Sequence, residues 1–157
     1  MNKAYRDLFS AIFFSDEDRV VDFVTSAHTR KVFMKFKKRL NSRLNEMKKR
    51  DADLADVKFD FSGFEQMDDE GITVMSVWKM PPYKTICVNM LPFVLSLGDD
   101  FSDESFEKAY EMYKVDDEGN DIIQHECAHI LDAMYRGEDS FGKHDKIFNQ
   151  MLHGLDK

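Results

Sequence analysis

The chain has 157 residues, 43% of them apolar, with 14 Phe and 10 Met. That is the length of one domain, and the aromatic content excludes an acidic disordered chain. The formal charge is −8, yet residues 30–50 hold ten Lys or Arg against one acid, Glu46, while the other residues hold 12 bases and 29 acids, so a polyanion finds attraction only there.

Met1 to Phe14 is interrupted by Lys3, Arg6 and Asp7, which is not the pattern of a secretory leader. No stretch approaches the roughly 18 apolar residues of a membrane span. With only two cysteines, Cys87 and Cys127, the expectation is an intracellular, cytoplasmic protein without disulfides.

Tyr5, Leu8, Phe9, Ile12 and Phe13 recur at helical spacing, so residues 2–14 predict an amphipathic helix. Ser15 caps a second helix over 16–26, and a third runs over 29–49 with Val32, Phe33, Phe36, Leu40, Leu44 and Met47 on its apolar side. The pattern then shortens to strands at 57–61, 72–80 and 85–90, separated by turn-forming "MDDEG" and "PPYK". A small antiparallel sheet is the economical reading. Ser102 caps a helix to about 115, "DDEGN" at 116–120 interrupts it or ends it, its acidic run at 116–118 reading as a solvated loop, and further helices follow over 121–135 and 144–155.

The 121–135 helix contains "HECAH". Residues four apart lie on one helical face one turn apart, so His125 and His129 can offer imidazole nitrogens to a single ion. Glu126, offset by about 100°, can reach a water on that ion without ligating it. A catalytic zinc takes three protein ligands and keeps one position open. His144 supplies the third, because a turn at 137–142 lets the chain reverse. Cys127 points away from the histidines and reads as packing.

His-Glu-Cys-x-His, 14 intervening residues, His144 and then Phe148 four residues on together resemble the SprT-like zinc metallopeptidases, which include the Spartan-type proteases. The resemblance is strongest over 122–148. It implies one α+β, zincin-like domain over 1–157: amino-terminal helices, a three-stranded antiparallel sheet, the HExxH helix and a short helix after it. It also implies one Zn2+ on His125, His129 and His144, with Glu126 as catalytic base in peptide-bond hydrolysis. The family usually has Gly after the third His, where this chain has Asp145, expected either to orient His144 or to cap the last helix. Only 13 residues follow His144, so the expectation is a bare catalytic domain.

A protein or peptide substrate is expected to add a strand to the sheet edge, with 85–90 as candidate edge. Tyr83, Tyr135, Arg136 and His153 are the available oxyanion partners. Lys35, Lys38, Arg39 and Arg43 are candidate phosphate contacts, through which DNA would bind the basic helix at 30–50. The alternative reading is a non-catalytic nucleic-acid-associated module with a structural zinc, against which Glu126 argues, since a structural site needs no base. A zinc hydrolase acting on something other than protein is a third.

Overall fold

The computed structural model of the protein describes residues 27–63, 73–97 and 102–156. The two helices expected before residue 27 lie outside these. Helix α1 spans Ala27–Arg50 and buries Phe36, Leu40, Leu44 and Met47, the stripe its periodicity predicts. A short 3-10 turn, Ala52–Leu54, follows; the Asp51 carboxylate caps it by accepting from the Asp53 N–H at 2.9 Å.

Strands β1 (Lys58–Gly63), β2 (Met75–Val77) and β3 (Thr85–Asn89) form one sheet in the order β1-β3-β2. The sheet is mixed, which corrects the expected antiparallel one. β2 pairs antiparallel with β3, Ser76 opposite Cys87, as the turn at 78–84 dictates. β1 lies on the other side of β3 and runs parallel to it, Phe59 opposite Ile86. Alternation marks which residues form a strand; it carries no information on direction, because the side-chain period of two is the same either way. The order also places 85–90 in the centre of the sheet, so the expected substrate edge is not there.

Helix α2, Leu91–Leu97, was not expected from the sequence. Its residues Leu91, Pro92, Phe93, Val94 and Leu97 are all buried, so no polar face exists to reveal a helical period. Pro92 is tolerated in the first turn, where its missing N–H is no loss. The Asn89 side chain accepts from the Leu91 N–H at 3.2 Å. Helix α3, Asp103–Tyr110, begins at the expected Ser102 cap and passes into a 3-10 turn at Glu111–Tyr113.

The core gathers α1 against α2 and α3 through rings. Phe36 sits 4.2 Å from Phe93 and 4.9 Å edge-on from Tyr113, centroid to centroid. The Tyr113 hydroxyl donates to the Asn89 carbonyl and accepts from the Phe93 N–H at 3.1 Å, so its polar end is satisfied in a dry place.

Helix α4, Ile122–Arg136, is capped by Asp121, whose carboxylate accepts from the Ile123 and Gln124 N–H groups at 2.8 and 3.0 Å. It stops at Gly137, which takes φ +81°, a conformation other residues adopt only with strain. Helix α5, Lys146–Gly154, packs back on α4 through Phe148 and Leu152. Among the described residues no helix is long and apolar enough to cross a membrane.

Candidate metal centre

His125 and His129 share one face of α4, and the reversal at 137–145 brings His144 over them. The three Nε2 atoms form a nearly equilateral triangle, 3.1 Å for His125 to His129, 3.2 Å for His129 to His144 and 3.3 Å for His125 to His144. An ion holding three nitrogens tetrahedrally at 2.0–2.1 Å sets them about 3.3 Å apart. The triangle therefore fits one ion on its axis, and these three residues lie close enough to hold it. All-imidazole donors suit zinc, copper, iron or nickel, whereas calcium and magnesium demand oxygen.

Two further observations favour metal binding. The Asp116 Oδ2 lies 2.8 Å from His125 Nδ1. Burial works to raise the Asp116 carboxyl, but hydrogen bonds from the Asn120 and Glu118 N–H groups and from His125 outweigh it and hold it below the usual carboxylate range. A charged carboxylate only accepts, so this contact favours the proton on Nδ1, the form in which Nε2 turns its lone pair to the centre. His129 is 8% exposed, and its Nδ1 is buried with no hydrogen-bond partner among the described residues. Leaving such a group dry costs about 1–3 kcal/mol, a cost that a ligand on the opposite nitrogen, Nε2, does not remove. Burial first, then the neighbouring His125 and His144, push the His129 imidazole down to about 4, so it stands ready as a free base.

Phe148 floors the cluster, its ring centroid 5.1, 4.4 and 4.9 Å from those of His125, His129 and His144. The cluster opens into a cavity of about 610 Å³ whose walls include β2, Met112, Ile122, Glu126 and Phe141. Glu126 is 7% exposed; burial, with the Asp116 charge second, raises its carboxyl to about 8. Cys127 is buried in the core, as expected.

Asp145 takes up one of its two expected roles. Its carboxylate caps α5, accepting from the Phe148 N–H at 3.2 Å, and pairs with Arg136 at 2.8 and 3.0 Å; it does not bond the His144 ring. The same guanidinium grips Asp132, which is fully buried, at 2.6 Å through both oxygens. Arg136 thus ties α4 to the residue next to the third histidine. The Arg136 hydrogen bond, ahead of the Phe148 N–H, lowers the Asp145 carboxyl to about 2. A depressed carboxyl adds stability above about pH 3.8 and loses it as pH falls toward 2. Asp145→Gly, the residue expected from the resemblance, should therefore melt a few degrees below wild type at pH 7 with the gap narrowing at acid pH, as thermal denaturation by circular dichroism would read.

The remaining expected site residues scatter. Tyr135 is 73% exposed, Arg136 is spent on two carboxylates, and His153 bonds Asp156 at 3.3 Å. Tyr83 packs edge-on against Phe141, 5.5 Å between centroids, and so abuts the cavity wall. Three of the four candidate phosphate contacts are already engaged: Lys35 with Asp103 at 3.4 Å, Arg39 with Glu107 at 2.6 Å, and Arg43 with Asp121 at 3.2 Å. Lys38 is exposed. Asp116 was missed, and the "DDEGN" tract is not merely a solvated loop. The only sequence signal was its turn chemistry, which says that the chain bends but not what the bend touches.

No family model, curated protein or solved structure matches this chain.

Proposed function

We propose that this chain is a zinc-dependent endopeptidase of SprT-like type. One observation carries the reading: three convergent histidine nitrogens and a buried glutamate face one open cavity. Three nitrogen ligands leave the fourth tetrahedral position free, which a structural site would fill. A zinc ion there would supply a water acidified toward neutrality and a positive charge beside the scissile carbonyl.

Glu126 is the base. It takes the proton of the attacking water and delivers it to the departing amine. Its pKa of about 8 without metal suits this role, since a nearby cation pulls it back toward neutrality. The substrate lies extended along β2. That strand pairs with β3 on one side, and its residues Met75, Ser76 and Val77 wall the cavity that holds the histidines. Main-chain hydrogen bonds to such an edge bind a peptide with little regard to sequence. The nucleic-acid module is favoured less, because Arg39 and Arg43 spend their charge within the molecule.

Zinc analysis and casein cleavage test the reading together. We expect one zinc per chain, cleavage abolished by a chelator, and recovery on adding one equivalent of zinc. Cleavage that continues in metal-stripped protein, or none from the zinc-loaded protein on casein or on itself, would sink it.

A further inference from the structure

Arg43 links the basic helix α1 to the loop beside the metal centre. Arg43 Nη1 donates to the Tyr113 carbonyl at 2.7 Å and the Tyr110 hydroxyl at 3.0 Å, while Nη2 donates to the Lys114 carbonyl at 3.0 Å and to Asp121 at 3.2 Å. These partners stand at both ends of one loop. The loop is closed by the Val115–Asp121 bridge, by the Asp116 N–H on the Asn120 carbonyl at 2.8 Å and by the Ile122 N–H on the Lys114 carbonyl at 3.0 Å. Inside it, Asp116 Oδ1 accepts from the Glu118 and Asn120 N–H groups, both at 2.9 Å. Its other oxygen is thereby aimed at His125 Nδ1.

We propose that Asp116 is a positioning residue that locks His125 in the tautomer with Nε2 free, and that Arg43 acts through the loop to hold Asp116 in place. An imidazole free to choose would spend part of its time with the proton on Nε2, where no metal can bind. A carboxylate at Nδ1 removes that competing state and raises the basicity of the donor nitrogen. Asp121 couples the same device to the start of α4, since its Oδ1 both caps the helix and meets Arg43, and His125 stands one turn further on. The inference rests on His125 being a ligand. It does not depend on the reaction.

Long-range proton–nitrogen NMR of the metal-free protein reads the tautomer, and a competition titration with zinc reads the affinity. Wild type should show His125 protonated on Nδ1. Asp116→Ala should move that proton largely to Nε2 and weaken zinc binding about 10–100-fold, the usual effect of losing such a partner. Asp116→Asn, whose single oxygen is held by the Glu118 and Asn120 N–H groups, turns its NH2 to Nδ1 and should therefore move the proton to Nε2 and weaken zinc binding, as Asp116→Ala does. Arg43→Met should shift both readouts in the direction of Asp116→Ala, by less; Arg43→Lys serves as a second variant that retains the charge.

A wild-type His125 protonated on Nε2, or unchanged zinc affinity in Asp116→Ala, overturns the proposal. If both Arg43 variants match wild type in both readouts, the part played by α1 is overturned. Absence of peptide cleavage would leave this inference standing, because neither readout involves cleavage.

Discussion

Replacing Glu126 by Gln should lower peptide cleavage by about 10²–10⁴-fold, the contribution of a positioned general base, while zinc content stays at wild-type level. Gln keeps the shape of the side chain but cannot accept a proton from water. Retained zinc is expected because the three imidazoles are the side chains close enough to hold an ion, and Glu126 only lines their cavity. Steady-state cleavage beside metal analysis separates this from a ligand mutation, where both would fall. Equal cleavage by the two proteins would remove Glu126 from the chemistry.

The same substitution has a second, opposite consequence for the metal-free protein. Glu126 titrates near 8 in the folded chain against an ordinary 4.5, because burial disfavours its charge. Between those values the native state holds a proton that the unfolded state has released, so stability falls as pH rises through that window. A tenfold change in proton affinity is worth about 1.4 kcal/mol, so the penalty reaches a few kcal/mol above pH 8. Glu126→Gln should therefore be more stable than wild type in chelator at pH 8, with the gain vanishing by about pH 4.5. Urea melts at several pH values would show it. A base held dry in a cavity costs stability, and the molecule carries that cost where the proposed chemistry needs it.

Phe36→Ala should be the most damaging single change in the core, at about 3–5 kcal/mol. Phe36 has no solvent exposure and meets the rings of Phe93, Tyr110 and Tyr113 as well as Phe61. Removing it deletes the apolar burial and leaves a cavity among rings that cannot all collapse inward. For a chain of this length the melting temperature should drop by roughly 6–20 °C. The site should feel it too, since Tyr113 precedes the loop that carries Asp116 and its carbonyl receives Arg43. Zinc affinity of the folded variant should fall along with stability, and a drop under about 1 kcal/mol would show that the ring cluster is not the organising centre.

Much of the site was legible because its information is local. His125, Glu126 and His129 sit within five residues on one helix, and the 3.6-residue period alone decides that the two histidines share a face. The stripe of α1, the Ser102 cap and the helix end at Gly137 were readable for the same reason: each depends on residues within one or two turns. His144 needed only a turn able to reverse the chain. Helix α2 escaped because it is mostly buried and carries one polar residue, Ser96, too few to mark a face, and strand direction escaped because no residue encodes it.

What the sequence by itself determined is most of the helices and strands among the described residues, α2 excepted, where most of them stop, and that two imidazoles and a carboxylate flank one another on a helix. Local periodicity and capping suffice for that. Only the tertiary structure decided that β2 and not β3 borders the cavity, that Asp145 pairs with Arg136, that Arg43 turns inward while Lys38 stays out, and that Asp116 meets His125. Each of these is a choice of partner across a folded distance. A charge in a sequence announces that it needs a partner, and the packing of the whole chain decides which one it reaches.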